Sequence, residues 1–309
     1  RLEGIFRAVL ESGIKANITN TFAGGEDTDI FQDKAFEEVN ALIQICPSAE
    51  GRIIAETGIT SEYTCCERII RDVVDWAKDE NLALQVHLSE TKAEHEECKL
   101  RHQNLTPAAY LNSLKFFDRP TVAAHGTYLE DSDLEILHEK GVTICHCPSS
   151  NLKLGSGIAP LAKFFQFKVA VTIGTDGASS NNNLNMLEEI SLAALLAKGV
   201  NCDPSFMKAD DILPIITVNG ARAQGRENCG RLEVGAQADL FVMDLDKAHM
   251  RPVYDLPANV FHSGQSADVV LTMVDGKVVY RDGVAPGIDL ERVLFEVERI
   301  KMEKLQKLS

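Results

Sequence analysis

The sequence predicts a parallel α/β fold, built from strand-helix units that suit part of an eight-fold barrel. Three observations carry this. Short strand-like runs alternate with helical segments through the first two thirds of the chain, the pattern of parallel strands joined by crossover helices. Six such units can be counted. Near residue 225 the alternation gives way to strand runs around an Asp275-Gly276 turn, which marks a change to antiparallel structure.

The chain opens inside an amphipathic pattern, Leu2, Ile5, Phe6, Val9 and Leu10, that predicts a helix stopped by Gly13. Strands are expected at 14–21, 52–57, 83–88, 121–125, 142–146 and 169–174. Thr64 with Glu67 reads as a capping box, Thr106-Pro107 as a helix start, and Gly141 as the end of a helix through Leu134 and Leu137. Residues 210–225 read as one helix. Strand runs at 240–243 and 269–274, without a helix between them, lead to the hairpin turn and a strand at 277–280. A last helix, 290–308, aligns Val293, Val297, Ile300 and Leu305 and is expected to pack back on a larger body. The expected division is 1–225, a barrel domain; 226–287, a small β domain; and 288–309, a C-terminal helix.

A chain of 309 residues can bury a sizeable core. Its 31 Lys and Arg against 46 Asp and Glu give a net charge of −15, which repels polyanions and argues against nucleic acid or an anionic membrane surface as partner. With 45% hydrophobic and 25% charged residues the composition is that of a globular protein. The longest apolar stretch, 192–197, is far shorter than the ~20 residues of a membrane helix. Eight cysteines without a Cys-x-x-Cys pair read as reduced thiols of a cytoplasmic protein. The first residue, Arg1, already lies in a helical pattern and there is no initiator Met, so further sequence is expected upstream.

In parallel α/β proteins reactive side chains gather at the carboxyl ends of strands. Four successive predicted strands here end in Val86-His87-Leu88-Ser89-Glu90, Ala124-His125-Gly126, Cys145-His146-Cys147-Pro148 and Gly174-Thr175-Asp176-Gly177. Each residue alone has a plain structural reading: a lone His as a hydrogen-bonded core residue, Asp176 as a turn residue, Glu90 as a first-turn acid. Together, imidazoles and carboxylates on one rim can hold a divalent metal and activate water.

These segments are where a family resemblance lies. His87-Leu88-Ser89-Glu90-Thr91, Ala124-His125-Gly126, the run from Cys145 through Ser149-Ser150-Asn151-Leu152-Lys153-Leu154 to Gly157, and Gly174-Thr175-Asp176-Gly177-Ala178-Ser179-Ser180 resemble the amidohydrolase superfamily, in particular its nucleoside deaminases and chlorohydrolases. The resemblance spans about residues 1–285. It implies a metal-dependent (β/α)8 TIM-like barrel beside a composite β-sandwich. It also implies His87 as metal ligand, Glu90 as acid/base toward a ring nitrogen, His125 as the residue orienting the attacking water, and Asp176 as ligand and proton acceptor. The implied cofactor is one divalent ion, zinc or alternatively iron. The implied activity is deamination of a small nitrogen heterocycle or its nucleoside by metal-activated hydroxide. A chlorohydrolase or other ring or amide hydrolase of the same superfamily is the alternative, and a metal-free ligand-binding barrel is the reading from another class. A small heterocyclic substrate is the expected partner, and association with like chains stays open.

Two departures from the family pattern stand out. The family's His-x-His, which supplies two further metal ligands, occurs nowhere in the sequence. The first two barrel strands are therefore expected upstream of Arg1, and the chain from Arg1 onward is expected to hold metal weakly and to be inactive alone. Where related deaminases carry a substrate-binding arginine and histidine, this chain has Asn20 and, in Ile59-Thr60-Ser61-Glu62-Tyr63, Thr60. Asn20 is the expected substrate-side residue there, joined by Asn151 and Lys153 of the glycine-bearing loop ahead of Gly157. Cys145-His146-Cys147 reads as a packed strand end, Cys65-Cys66 as helix packing, and Asn181, Asn182, Asn183 and Asn185 as caps and turn residues. No role is assigned to His95, His102, His138, His249 or His262.

Overall fold

A computed structural model describes residues 2–307. Its main sheet contains, among the described residues, six strands in the order of the sequence: β1 (Ala16–Phe22), β2 (Ile53–Ser61), β3 (Leu84–Leu88), β4 (Thr121–His125), β5 (Thr143–His146) and β6 (Ala170–Ile173). Every neighbouring pair is parallel, so every connection must cross back over the sheet, and helices do this each time. The six predicted strands are thus all present, with ends shifted by a few residues.

Period-two burial explains why these runs are strands and what they leave for chemistry. In β3, Leu84, Val86 and Leu88 are buried in the apolar core while Gln85 and His87 occupy the alternate, half-buried positions. The crossover helix Glu67–Asp79 meets this layer with Ile69, Ile70, Val73, Val74, Trp76 and Ala77, a stripe at helical spacing whose opposite face carries Arg71, Asp75 and Lys78. Trp76 packs edge-on against Phe22, the last residue of β1, with ring centroids 5.9 Å apart. Each such buried apolar side chain contributes roughly 1.5–3 kcal/mol, and together they fix the strand ends.

Several expectations are corrected. Glu67 does start its helix, but Thr64 does not cap it: the Thr64 hydroxyl bonds Ser61 within a one-turn 3₁₀ segment, Glu62–Thr64, and Cys66 stands at the N-cap. Residues 210–225 form two helices, Ala209–Ile216 and Val218–Ala223, because Thr217 leaves helical geometry at φ −127° and ψ −93°, its N–H turned to the Pro214 carbonyl and its hydroxyl to the Leu213 carbonyl. A helix, Leu256–Ser263, does lie between the strand runs at 240–243 and 269–274; Asp255 caps it by accepting from Ala258 N, and Phe261 is its one buried residue. So small an apolar face left little periodicity in the sequence.

The second sheet is antiparallel: β7 (Leu240–Met243), β8 (Val269–Val274) and β9 (Lys277–Arg281). Asp275 and Gly276, at φ 50° and 73°, make the tight turn that Asp-Gly favours. Lys15 ties this sheet to the start of β1, its Nζ 2.7 Å from Asp239 Oδ2 and 2.6 Å from Asp275 Oδ1. The last helix, Leu290–Gln306, buries none of its residues, and Val293, Val297, Ile300 and Leu305 are all exposed. The expected packing back is therefore not made by the described residues; Leu308 of the predicted span lies outside them.

Candidate active site

Because β3 and β4 pair in parallel register, with His87 opposite Ala124 and Leu88 opposite His125, two histidines from different strands arrive at one end of the sheet. Their rings stack with centroids 5.4 Å apart. His87 Nδ1 lies 2.6 Å from the Thr60 carbonyl, to which it donates, and this leaves Nε2 as the free lone pair. His125 is buried at the last position of β4; its Nδ1 sits 2.8 Å from Asn151 Oδ1 and its Nε2 3.7 Å from Glu90 Oε2.

Glu90 follows β3 in a short loop. Glu94 holds that loop, accepting from Ser89 N at 3.1 Å and Glu90 N at 2.8 Å. Ser156, from the loop after the helix Pro148–Lys153, donates to Glu90 Oε1 at 2.8 Å. Asp176, just beyond β6, accepts from Ser150 Oγ at 2.6 Å and from Gly177 N at 2.5 Å.

Backbone strain concentrates at the same rim. Ser89, His125 and Asp176 adopt φ of 47°, 72° and 60°, a region that costs a non-glycine residue about 1 kcal/mol or more and that persists where surrounding contacts enforce it.

The electrostatics divide the roles. Burial pushes the Asp176 carboxyl up, but the Ser150 hydroxyl, the Gly177 N–H and the fields of His125 and His87 outweigh it and hold the group below its ordinary range. Burial lowers His125, helped by His87, against the opposing pull of Glu90 and Asn151. Near neutral pH this leaves an aspartate beside an uncharged imidazole. His146, fully buried at the end of β5, has no hydrogen-bond partner at either ring nitrogen, and burial with the field of His125 lowers its pKa to about 4.

The structure therefore brings His87, Glu90, His125 and Asp176 into one neighbourhood at the carboxyl ends of β3, β4 and β6. Asn151 is buried with its side-chain oxygen turned to His125. Lys153 reaches the Ser179 carbonyl at 2.9 Å and the Asn182 side chain. Asn20 donates to Glu38 Oε2 at 3.2 Å and accepts from Thr21 N at 3.1 Å. Ser150, Ser156 and the Thr60 carbonyl carry contacts that the sequence reading did not single out. The first two lie in a run it had quoted, but nothing in spacing distinguishes a serine that orients a carboxylate from one that caps a helix.

The donor chemistry suits a divalent ion: an imidazole with its Nε2 free and an ionised carboxylate are the ligand types used for zinc and iron. The arrangement can polarise water and exchange protons with a bound ring.

A parallel barrel-type sheet with His and Asp at its carboxyl rim and a small antiparallel sheet alongside is the architecture of a hydrolase class. The amidohydrolase family's sequence model matches residues 9–279. The 5-methylthioadenosine/S-adenosylhomocysteine deaminase of Moorella thermoacetica is 38% identical over 300 residues, which cover 96% of this chain and 69% of that protein. The chain belongs to the amidohydrolase family, and it is a hydrolase. Among solved structures, an adenosine deaminase from Xanthomonas campestris with bound zinc is similar at a TM-score of 0.86 and 27% identity, covering 95% of this chain and 67% of that one. An atrazine chlorohydrolase from Arthrobacter aurescens complexed with zinc shares the fold, with a TM-score of 0.84 at 22% identity and coverage of 96% and 68%.

Proposed function

We propose that this amidohydrolase deaminates an adenine-type heterocycle or its nucleoside, with 5-methylthioadenosine and S-adenosylhomocysteine as the first compounds to test. The observation that carries the reading is the cluster of His87, Glu90, His125 and Asp176 at one rim of the sheet. The names of relatives 38% identical over nearly the whole chain support it.

His87 and Asp176 would hold a divalent ion, zinc in our reading since similar solved enzymes carry it; when bound there, the ion supplies the positive charge that makes water acidic enough to attack near pH 7. The chain's own residues do the rest. Glu90, 3.7 Å from His125, passes a proton to the ring nitrogen beside the carbon under attack, which makes that carbon electron-poor. His125, fixed at Nδ1 by Asn151 and uncharged, presents Nε2 to the attacking water. Asp176, held ionised, takes the water's proton. Asp176 then hands that proton to the amino group, which leaves as ammonia, while the hydroxyl added to the ring returns its proton to Glu90, so that C–NH2 becomes C=O and both carboxyl groups end as they began. Asn20, Asn151 and Lys153 stand on the substrate side of this scheme, Asn151 acting through His125.

In this reading the chain divides at about 225 and 287 into barrel, β domain and terminal helix, and its thiols, all unpaired, suit the reducing cytoplasm. No helix among the described residues is long and apolar enough to cross a membrane.

The test is ammonia release by the whole protein loaded with zinc, over adenine nucleosides, guanine and pterins, beside chloride release from a chlorotriazine. Ammonia from an adenine nucleoside is the expected result. Chloride release without ammonia would move the assignment to the chlorohydrolases.

A further inference from the structure

Another group of metal-capable side chains takes no part in that scheme. Glu62, from the 3₁₀ turn after β2, meets Cys98 and His102 at the end of the helix Lys92–Arg101, and their carboxylate oxygen, thiol sulfur and ring nitrogen all lie within 4.8 Å of one another. We propose that Glu62, Cys98 and His102 form a second cation site, selective for a divalent ion of the zinc class.

Local geometry assembles the three donors. Cys98 and His102 are four residues apart, so one helical turn brings them to the same face. The His102 ring is fixed by stacking on Tyr110, with centroids 3.6 Å apart and planes 17° from parallel. Glu62 is 2% exposed, and its two oxygens are already engaged by positive or proton-donating groups: His102 Nε2 at 2.8 Å and Arg101 Nη2 at 2.6 Å. A buried carboxylate needs such compensation. An ion bridging Glu62 and His102 would supply it in place of their mutual hydrogen bond, and Arg101 would keep the other oxygen. The ion–donor distances of about 2.0–2.3 Å for zinc place ligand atoms somewhat closer together than 4.8 Å, a contraction of about 1 Å that side-chain rotation provides.

Donor type decides the metal. A thiol and an imidazole with a single carboxylate suit zinc and its soft or borderline neighbours, and are poor ligands for magnesium or calcium, which take oxygen. Three protein ligands leave one position for water. Cys98 is fully buried, but His102 keeps a quarter of its side chain exposed and so opens a path from solvent. Filling the site would also tie the turn after β2 to the helix that follows β3, at a point two residues from Thr60, whose carbonyl orients His87. That last consequence rests on the catalytic reading; the site itself does not.

The experiment titrates metal-stripped whole protein with cobalt(II) alone and follows the near-ultraviolet thiolate-to-cobalt absorption. The band is expected in the unmodified protein, in His87→Ala and in Asp176→Asn, and it should disappear in Cys98→Ser and on adding excess zinc. Absence of the band in the unmodified protein overturns the proposal, as does its persistence in Cys98→Ser or its loss in His87→Ala. Should Cys98→Ser fail to melt cooperatively, His102→Gln decides: it retains the thiol and should weaken cobalt binding at least ~10-fold, and unchanged affinity would refute the site. Because the readout is a thiolate band, failure of the ammonia assay would leave its outcome untouched.

Discussion

The two ends of the parallel sheet each hold a carboxylate away from full contact with water, Glu56 buried and Asp176 half-buried, and the surroundings drive the two groups in opposite directions. Toward the amino end, Glu56 of β2 faces amides: Asn17 Nδ2 donates at 2.5 Å and Gln85 Nε2 also donates, yet burial outweighs these and the more distant charge of Arg226, and raises its pKa. At the carboxyl end, Asp176 is less deeply buried and faces a hydroxyl, a backbone N–H and two imidazoles, which together bring it below its ordinary value. Burial sets the penalty in both places; the donors decide whether the charge survives it. Barrels commonly spend one end on stability and the other on chemistry, and here the division is visible in the titration behaviour of two acids in one sheet.

The largest effects should separate the ends by turnover. Asp176→Asn removes the proton acceptor and a ligand, and should lower turnover ~10³-fold in the zinc-loaded whole protein, with Glu90→Gln lower by at least ~10²-fold. Glu56→Gln should stay within about threefold of the unmodified enzyme, since a group that only packs carries no part of the barrier. Metal analysis sharpens the result: Glu90→Gln should retain the ion, while His87→Ala loses it. Equal metal loss in both would make Glu90 a ligand and undo the roles assigned above.

Stability should show the reverse. Arg226 is buried near the amino end, where its guanidinium donates to the carbonyls of Gly51 at 2.8 Å and of Ala16 and Arg52 at 3.1 Å, and to Asn17 Oδ1 at 3.0 Å. It thereby joins the segment after Val218–Ala223 to the starts of β1 and β2. Arg226→Met should cost about 3 kcal/mol in urea unfolding, since several buried carbonyls lose a charged donor at once, with turnover at low temperature unchanged. A comparable fall in turnover would show that the two ends are coupled.

The site was far more legible in the sequence than this support. His87, Glu90, His125 and Asp176 each close or follow an apolar strand run, which puts them at the carboxyl ends of strands, and the family resemblance singles them out there from neighbours such as His146. Arg226 sits in a polar, glycine-flanked stretch without periodicity, and its partners are main-chain carbonyls about 175 to 210 residues away, which composition cannot reveal. The break at Thr217 and the helix Leu256–Ser263 are hard to read for a related reason: short helices with at most two buried residues leave too few apolar repeats. His102 received no role because its partner Glu62 arrives from a different strand-helix unit.

A smaller effect is expected at Asn151, whose oxygen fixes the His125 ring. Asn151→Ala should lower kcat ~10- to 100-fold, the usual scale for a residue orienting a reactive histidine, with KM nearly unchanged. A rise in KM at constant kcat would instead place Asn151 directly on the substrate.

The smallest effect tests the contrast in its own terms. Glu56 has a folded-state pKa above its unfolded value, so the native state holds its proton more tightly than the unfolded chain does. The associated stability is fully present below the unfolded glutamate value of ~4.3 and is lost as pH rises through the folded value. Glu56→Gln cannot titrate, so its unfolding free energy should fall less than that of the unmodified protein between about pH 4 and neutrality, as read from urea melts at fixed salt. For Asp176, in protein stripped of metal, the sign reverses: its depressed pKa stabilises the fold above ~3.9 and that contribution is lost on acidification, so Asp176→Asn should flatten the acid limb only. Parallel curves for Glu56→Gln and the unmodified protein across the upper window would mean that the unfolded chain already holds Glu56 in a comparable environment, and the contrast between the two ends would then lie in hydrogen bonding alone.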